Sequence, residues 1–282
     1  MGGFNGLRVL ALESRRGAEI GKLIGTYGGA AVLAPSMREV PLASNQKALE
    51  FAARFLKGDF QMVIFLTGVG ARALLAVVET AYPREQYIEA FKRVKVVARG
   101  PKPVAALREW GIAPSITAAE PNTWREVLSA LDAEENGEQL RLRGMQVAVQ
   151  EYGVSNPELL AALEQRGAVV TRVPVYQWAL PEDLAPLRAA VKALVGGEID
   201  VVLFTTGVQA AHLFEVAAEM KAEEAMREGL KRTVIAAIGP TTEEELVRRG
   251  VPADMQPSHP KMGVLVKEAA EHAGELLRRK RG

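Results

Sequence analysis

Val201-Val202-Leu203-Phe204-Thr205-Thr206-Gly207-Val208 decides how this chain folds. Its apolar run leaves no polar face, so the segment reads as a strand covered on both sides, as strands of parallel sheets are. The Thr-Thr-Gly that follows ends the strand and opens an amphipathic stretch, the strand-turn-helix step of an α/β fold. About 139 residues earlier the same punctuation stands as Phe65-Leu66-Thr67-Gly68-Val69.

Working outward, the correspondence covers both halves. Val9-Leu10-Ala11-Leu12-Glu13 matches Val147-Ala148-Val149-Gln150-Glu151, and Gly28-Gly29-Ala30 matches Arg166-Gly167-Ala168. Ala98-Arg99-Gly100-Pro101 matches Ala237-Ile238-Gly239-Pro240, and Pro121 matches Pro260. A two-copy repeat of this length implies duplicated domains rather than a solenoid. The second copy predicts strands over Gln146–Gln150, Val169–Val175, Val201–Thr205 and Val234–Ile238, with a weak one near Met255. Such strands alternating with helical stretches predict a flavodoxin-like sheet in each copy.

Val32 to Leu42 and Val169 to Leu180 each look extended, with Pro35, Pro41, Pro174 and Pro181 forbidding helix. At the strand rise each would span roughly 36 Å, well beyond the ~20 Å of an ordinary strand. Because both overruns fall at the same place in the repeat, they are expected to be connectors. The expected fold is α/β, with two flavodoxin-like parallel-sheet domains, one inserted in the other and joined by a two-stranded extended connector. Domain one would be 1–38 and 179–282, and domain two 39–178. A tandem split near residue 142 is the alternative.

The 282 residues are 48% hydrophobic and 24% charged, enough apolar material for sizeable cores. With 35 basic and 34 acidic residues the net charge is +1, so no global field attracts nucleic acid or an anionic membrane. No apolar run approaches the ~18 residues of a membrane span, and the N-terminus lacks signal-peptide order. A cytoplasmic monomer without membrane or nucleic-acid partners is expected. The absence of cysteine excludes thiol chemistry and thiolate metal sites, and His212, His259 and His272 show no ligand spacing. No cofactor and no metal are expected.

In doubly wound sheets ligands bind outside the carboxyl ends of the strands. That rule selects Glu13-Ser14-Arg15-Arg16, Thr205-Thr206-Gly207, Gly239-Pro240-Thr241-Thr242 and Ser258 to Lys261 in domain one. In domain two it selects Thr67-Gly68, Arg99-Gly100-Pro101-Lys102, Glu120 to Thr123 with Asn122, and Glu151-Tyr152-Gly153. These turns precede helices, where free N–H groups suit carboxylates or phosphates. The alternative is capping, with Thr241/Glu244 and Ser155/Glu158 as capping boxes. For the basic residues, including Lys261, it is a solvated surface role. Gly68-Val69-Gly70-Ala71-Arg72-Ala73 formally matches a dinucleotide fingerprint, but the next strand ends without the acidic residue for ribose, and Gln209 stands where the first copy has Gly70. Tyr176 interrupts an apolar stretch on the proposed connector, either facing a cleft or half-buried in a strand. The basic end Arg278-Arg279-Lys280-Arg281 reads as a frayed, solvated helix terminus.

The chain resembles the uroporphyrinogen-III synthase family through Ala236-Ala237-Ile238-Gly239-Pro240-Thr241-Thr242 with Leu246 and Gly250, Val173-Pro174-Val175-Tyr176-Gln177, and Phe204-Thr205-Thr206-Gly207. Where many bacterial members carry Thr-Arg-Pro, this chain has Ser14-Arg15-Arg16. The resemblance implies two α/β domains with the active site in the cleft, acting on hydroxymethylbilane, a linear tetrapyrrole with carboxylates on every ring. Loss of its hydroxyl gives an azafulvene that joins the substituted carbon of the last ring, and the resulting spiro intermediate fragments and recloses with that ring inverted. The resemblance implies a cyclising hydro-lyase in which the selected turns hold carboxylates, Tyr176 is the proton donor, and Thr241 and Thr242 lie near the site. A two-lobed cytoplasmic small-molecule-binding protein without chemistry is the alternative.

Overall fold

A computed structural model describes residues 3–42, 45–136, 140–151, 153 and 155–282. In chain order the elements begin with β1 (Arg8–Ala11), α1 (Gly17–Thr26), β2 (Ala30–Leu33), β3 (Arg38–Pro41), α2 (Gln46–Lys57), β4 (Met62–Phe65), α3 (Gly68–Val78) and α4 (Arg84–Ala90). Next come β5 (Lys95–Ala98), α5 (Pro101–Arg108), β6 (Ile116–Thr117), α6 (Trp124–Asn136), β7 (Gln146–Gln150), α7 (Pro157–Gln165), β8 (Val169–Val173) and β9 (Tyr176–Ala179). The chain continues through α8 (Ala185–Val195), β10 (Val201–Phe204), α9 (Gly207–Glu219), α10 (Glu223–Lys231), β11 (Val234–Ala237), α11 (Pro240–Arg248) and α12 (Met262–Arg281).

The chain divides into two compact units, Met1–Arg38 with Ala179–Gly282, and Glu39–Trp178. Unit 1 carries a parallel sheet in the order β11-β10-β1-β2, with Val9 opposite Val201 and Ala31, and Val201 opposite Val234. Unit 2 carries β6-β5-β4-β7-β8, also parallel, with Val63 opposite Val96 and Ala148. Each sheet therefore combines the opening strands of one repeat copy with the closing strands of the other. Counted by repeat position, both follow the flavodoxin-like neighbour order.

The two long extended runs are each broken into two strands. β2 ends at Leu33 and β3 starts at Arg38, while β8 ends at Val173 and β9 starts at Tyr176. Pro35 and Pro174 stand in the breaks, where a residue without N–H cannot continue a ladder. β3 and β9 form a two-stranded sheet of their own. The segment near Met255 makes only an isolated bridge to Ala236. Next to it the Ile235 N–H donates to the Asp254 carboxylate at 2.7 Å, so a side chain takes one place of a fifth strand.

Strand alternation sorts each core into two layers. In unit 1, Leu10, Val202, Phe204 and Ile235 face Leu187, Leu213, Leu230 and Leu246, while Val9, Val201, Leu203 and Val234 face Ile20, Ile24, Leu265 and Val266. In unit 2, Val63, Phe65 and Val96 meet an aromatic group in which Phe55 and Phe91 lie 4.7 Å apart and Tyr87 and Phe91 5.0 Å apart. Fully burying one such side chain stabilises by about 1.5–3 kcal/mol. Tyr87 is the exception within this group: its hydroxyl has no partner, and burial pushes its phenol up.

The basic end of α12 is docked rather than frayed. Lys280 pairs with Asp254 at 2.5 Å, and Arg281 pairs with Asp200 at 2.8 Å while donating to the carbonyl of Arg232. The acidic partners lie far away in sequence, and they hold the last turn in place.

Candidate functional site

In both sheets the strands are parallel, so the turns selected from the sequence fall on one rim of each unit. In unit 1 the chain order reverses between β1 and β10, and Glu13 spans that point. Its Oε2 accepts from the Thr205 hydroxyl at 2.7 Å, and its Oε1 accepts from the N–H groups of Arg15 and Arg16 at 3.2 Å each. Gln209, 1% exposed, accepts from the Thr205 N–H at 2.7 Å and donates Nε2–H to the Thr205 hydroxyl at 2.8 Å. The Ser14 hydroxyl accepts from the Met37 N–H at 3.2 Å. The amides expected to be free after β1 are thus occupied by the chain's own carboxylate.

The start of α11 is built differently. Gly239 is its N-cap and Pro240 its first helical residue, and the N–H groups of Thr242 and Glu243 both reach the Gly239 carbonyl at 3.1 Å. Thr241 therefore lies inside the first turn and caps nothing, so the box expected with Glu244 does not form. Its side chain is exposed, whereas Thr242 is 3% exposed. A Cβ on Gly239 would touch only Pro260, at 3.7 Å, leaving this backbone open to close approach. Gly207 packs against Glu245 and the Thr241 carbonyl, which brings the start of α9, with Thr206 as its N-cap, beside the start of α11. Lys261 is the N-cap of α12 with an exposed side chain. Ser258 just before it is tied by hydroxyl and N–H to Glu268; the hydroxyl first and the amide second hold that carboxyl below its ordinary range.

In unit 2 the reversal lies between β4 and β7. Thr67 caps α3, its hydroxyl accepting from the Gly70 N–H at 3.0 Å. Gln150, fully buried at the end of β7, accepts from the Thr67 N–H at 3.5 Å and donates to the Glu151 carbonyl. Gly70 is small because of Gln150, and the room a dinucleotide pyrophosphate would need is filled. Each unit sets a glutamine amide against the turn that follows its strand at the reversal, Gln150 from β7 in unit 2 and Gln209 from α9 in unit 1.

The other glycines of this rim follow the same logic. A Cβ on Gly68 would stand 2.5 Å from the Lys102 carbonyl, and one on Gly100 2.6 Å from the Asn122 amide. Asn122, at φ 61°, donates to the carbonyls of Ala118 at 3.2 Å and Arg99 at 3.3 Å. Thr67, Gly68, Arg99, Gly100, Pro101, Lys102 and Asn122 are therefore drawn into one cluster. Beside it Thr123 and Glu126 form a capping box that opens α6, the Thr123 hydroxyl accepting from the Arg125 N–H and the Thr123 N–H donating to Glu126. Glu151, 4% exposed, accepts from the Ser155 hydroxyl at 2.6 Å and from Arg172 at 3.0 Å. The cap of α7 is Asn156 and not the expected Ser155/Glu158 pair. Tyr152 lies outside the described residues.

Tyr176 is 5% exposed within the apolar cluster of unit 2, edge-on to Trp178 with ring centres 5.5 Å apart. Gly153, at φ 58°, lets the backbone pass under Trp178, where any Cβ would collide. The sequence places Glu13 in a selected turn but gives its side chain no role, and it marks neither Gln150 nor Gln209 as a hydrogen-bonding group. The repeat alignment had already put Glu13 in register with Glu151 and Gln209 in register with Gly70.

The family model described as uroporphyrinogen-III synthase HemD matches residues 18–267. The uncharacterized protein YjjA of Bacillus subtilis (strain 168) is 31% identical over 274 residues, spanning 97% of this chain and 98% of that protein. A crystal structure of a mutant uroporphyrinogen III synthase from the extremely thermophilic bacterium Thermus thermophilus superposes with a TM-score of 0.73 at 25% identity, covering 96% of this chain and 99% of that one. The wild-type Thermus enzyme in another crystal form gives 0.57 at 26% identity, with the same coverage.

Proposed function

Since the chain belongs to the uroporphyrinogen-III synthase family, we propose that it cyclises hydroxymethylbilane to uroporphyrinogen III, inverting the last ring through a spiro intermediate and releasing water as a cyclising lyase. The observation that carries this reading is the family match over residues 18–267, which takes in most of both repeat copies and every selected turn except Glu13 to Arg16. The protein would work as a cytoplasmic monomer; no helix among the described residues is long and apolar enough to cross a membrane.

The uncatalysed azafulvene closes directly to the wrong isomer, so the enzyme's main task is to hold the chain ends in the geometry of spiro attack. The turns at the carboxyl ends of the strands suit this work. The main-chain N–H groups of Gly239 and Thr241 and the Lys261 ammonium would bind carboxylates in unit 1, with those of Gly68, Gly100 and Lys102 serving in unit 2. Helix N-termini are fixed partial positive charges and cost no reorganisation when charge moves. Tyr176 would donate the proton that lets hydroxide leave as water. A phenol with an ordinary pKa of about 10 is protonated at neutral pH, and such a donor supplies about 10² to 10⁴ in rate.

Freshly generated hydroxymethylbilane, incubated with and without the protein and oxidised for isomer separation, tests the reading. Type III product above the protein-free background supports it. Type I product alone, at the background rate, leaves a binding protein without chemistry.

A further inference from the structure

Glu13 and Thr205 meet where the strand order of unit 1 reverses, the place at which doubly wound sheets take their ligands. Glu13 Oε1 is filled by two N–H groups, and Oε2 accepts the Thr205 hydroxyl. That hydroxyl has given its only hydrogen to Glu13 and receives Gln209 Nε2–H on one lone pair. The valences left on Glu13 Oε2 and Thr205 Oγ1, 2.7 Å apart, are therefore lone pairs only. Such a pair repels a carboxylate and takes an N–H donor. On a rim whose remaining groups suit anions, it selects the other half of a tetrapyrrole's chemistry.

We propose that Glu13, together with Thr205, is a further catalytic group of this reaction: the pair receives the N–H of the pyrrole that becomes the azafulvene, and the Glu13 charge stabilises the cation formed as water leaves. The inference rests on the function proposed above. The protonated hydroxyl departs as water with the C–O electron pair. The ring nitrogen's electrons fill the vacancy, and positive charge spreads over that nitrogen and the terminal methylene. The N–H keeps its proton in this step, so the species formed is the N-protonated azafulvene, a cation, and no base is required to form it. Because the cation exists in the transition state and not in the substrate, the effect falls on kcat and leaves KM nearly unchanged.

Glu13→Gln keeps the length and an acceptor oxygen but removes the charge, whereas Glu13→Asp keeps the charge and shortens the reach. Charge stabilisation predicts a kcat loss on the order of 10²-fold for Gln, KM within about threefold, and at least tenfold better turnover for Asp than for Gln. A purely structural cap predicts the reverse order, because Gln spans to Thr205 and Asp does not. Gln turnover equal to or above Asp, or within threefold of the parent, overturns the inference while type III formation by the parent still stands. A parent chain that forms no type III product overturns both. Should Glu13→Gln fail to fold, Thr205→Val removes the second acceptor at nearly constant shape, and an unchanged kcat there overturns the inference as well.

Discussion

Gln150 fills the space beside Gly70 so closely that a Cβ on the glycine would stand 2.0 Å from its Nε2. The glycine that completes an apparent nucleotide fingerprint is thus a packing requirement of a glutamine eighty positions on. Gly70→Ala is expected to destabilise by about 1–3 kcal/mol, as overpacking does. Gly70→Ala with Gln150→Ala should cost less than the sum of the single changes, because the second relieves the clash. Urea unfolding of the four proteins checks this, and strict additivity would contradict the packing account.

Tyr87 buries a hydroxyl that has no hydrogen-bond partner. Tyr87→Phe keeps the ring contacts with Phe55 and Phe91 and removes the unsatisfied group. Such relief is worth about 1 kcal/mol, so the variant should unfold at a higher temperature than the parent. A lower melting temperature would mean that the hydroxyl is satisfied.

Lys280 and Arg281 close the last turn of α12 against Asp254 and Asp200. Reversing both to Glu places like charges together and should cost about 1–3 kcal/mol, or several degrees in Tm at roughly 2–4 °C per kcal/mol. Affinity for uroporphyrinogen III should stay within about twofold, since the tail is no part of either rim. Calorimetry and a binding titration separate the two effects.

Tyr176→Phe keeps the edge-on packing against Trp178 and removes only the hydroxyl. Type III turnover is expected to fall by about 10² to 10⁴, the range of one proton donor, with thermal stability little changed. Full activity in this variant would reduce Tyr176 to a packing residue of the unit 2 core. The proton source would then lie in Thr241 or in a substrate carboxylic acid.

The strands were legible because their burial is two-sided: Met62–Phe65, Val201–Phe204 and Val234–Ala237 are each buried along their whole length, and a continuous apolar run signals that directly. The rims were legible as positions, since the end of a parallel strand names its turn. Their chemistry was less so. Glu13, Gln150 and Gln209 act across strands, and no local spacing reports that a carboxylate 192 residues from a threonine will accept a hydrogen bond from its hydroxyl. The basic tail misled for the same reason, its acidic partners being distant. The Thr241/Glu244 pattern failed locally, because Gly239-Pro240 starts the helix before Thr241 can cap it. Thr123/Glu126, the same pattern one domain away, was there to be read.

Inversion of the last ring is the central claim, and carbon labelling reads it at the bond that forms. Hydroxymethylbilane carrying ¹³C at the hydroxymethyl carbon and at the substituted α-carbon of the last ring is converted by the protein and observed by ¹³C NMR. Inversion joins the two labelled atoms, so the account predicts a new one-bond ¹³C–¹³C coupling in the product that is absent from the protein-free reaction. A product formed at an accelerated rate without that coupling would mean direct closure, and would contradict the account.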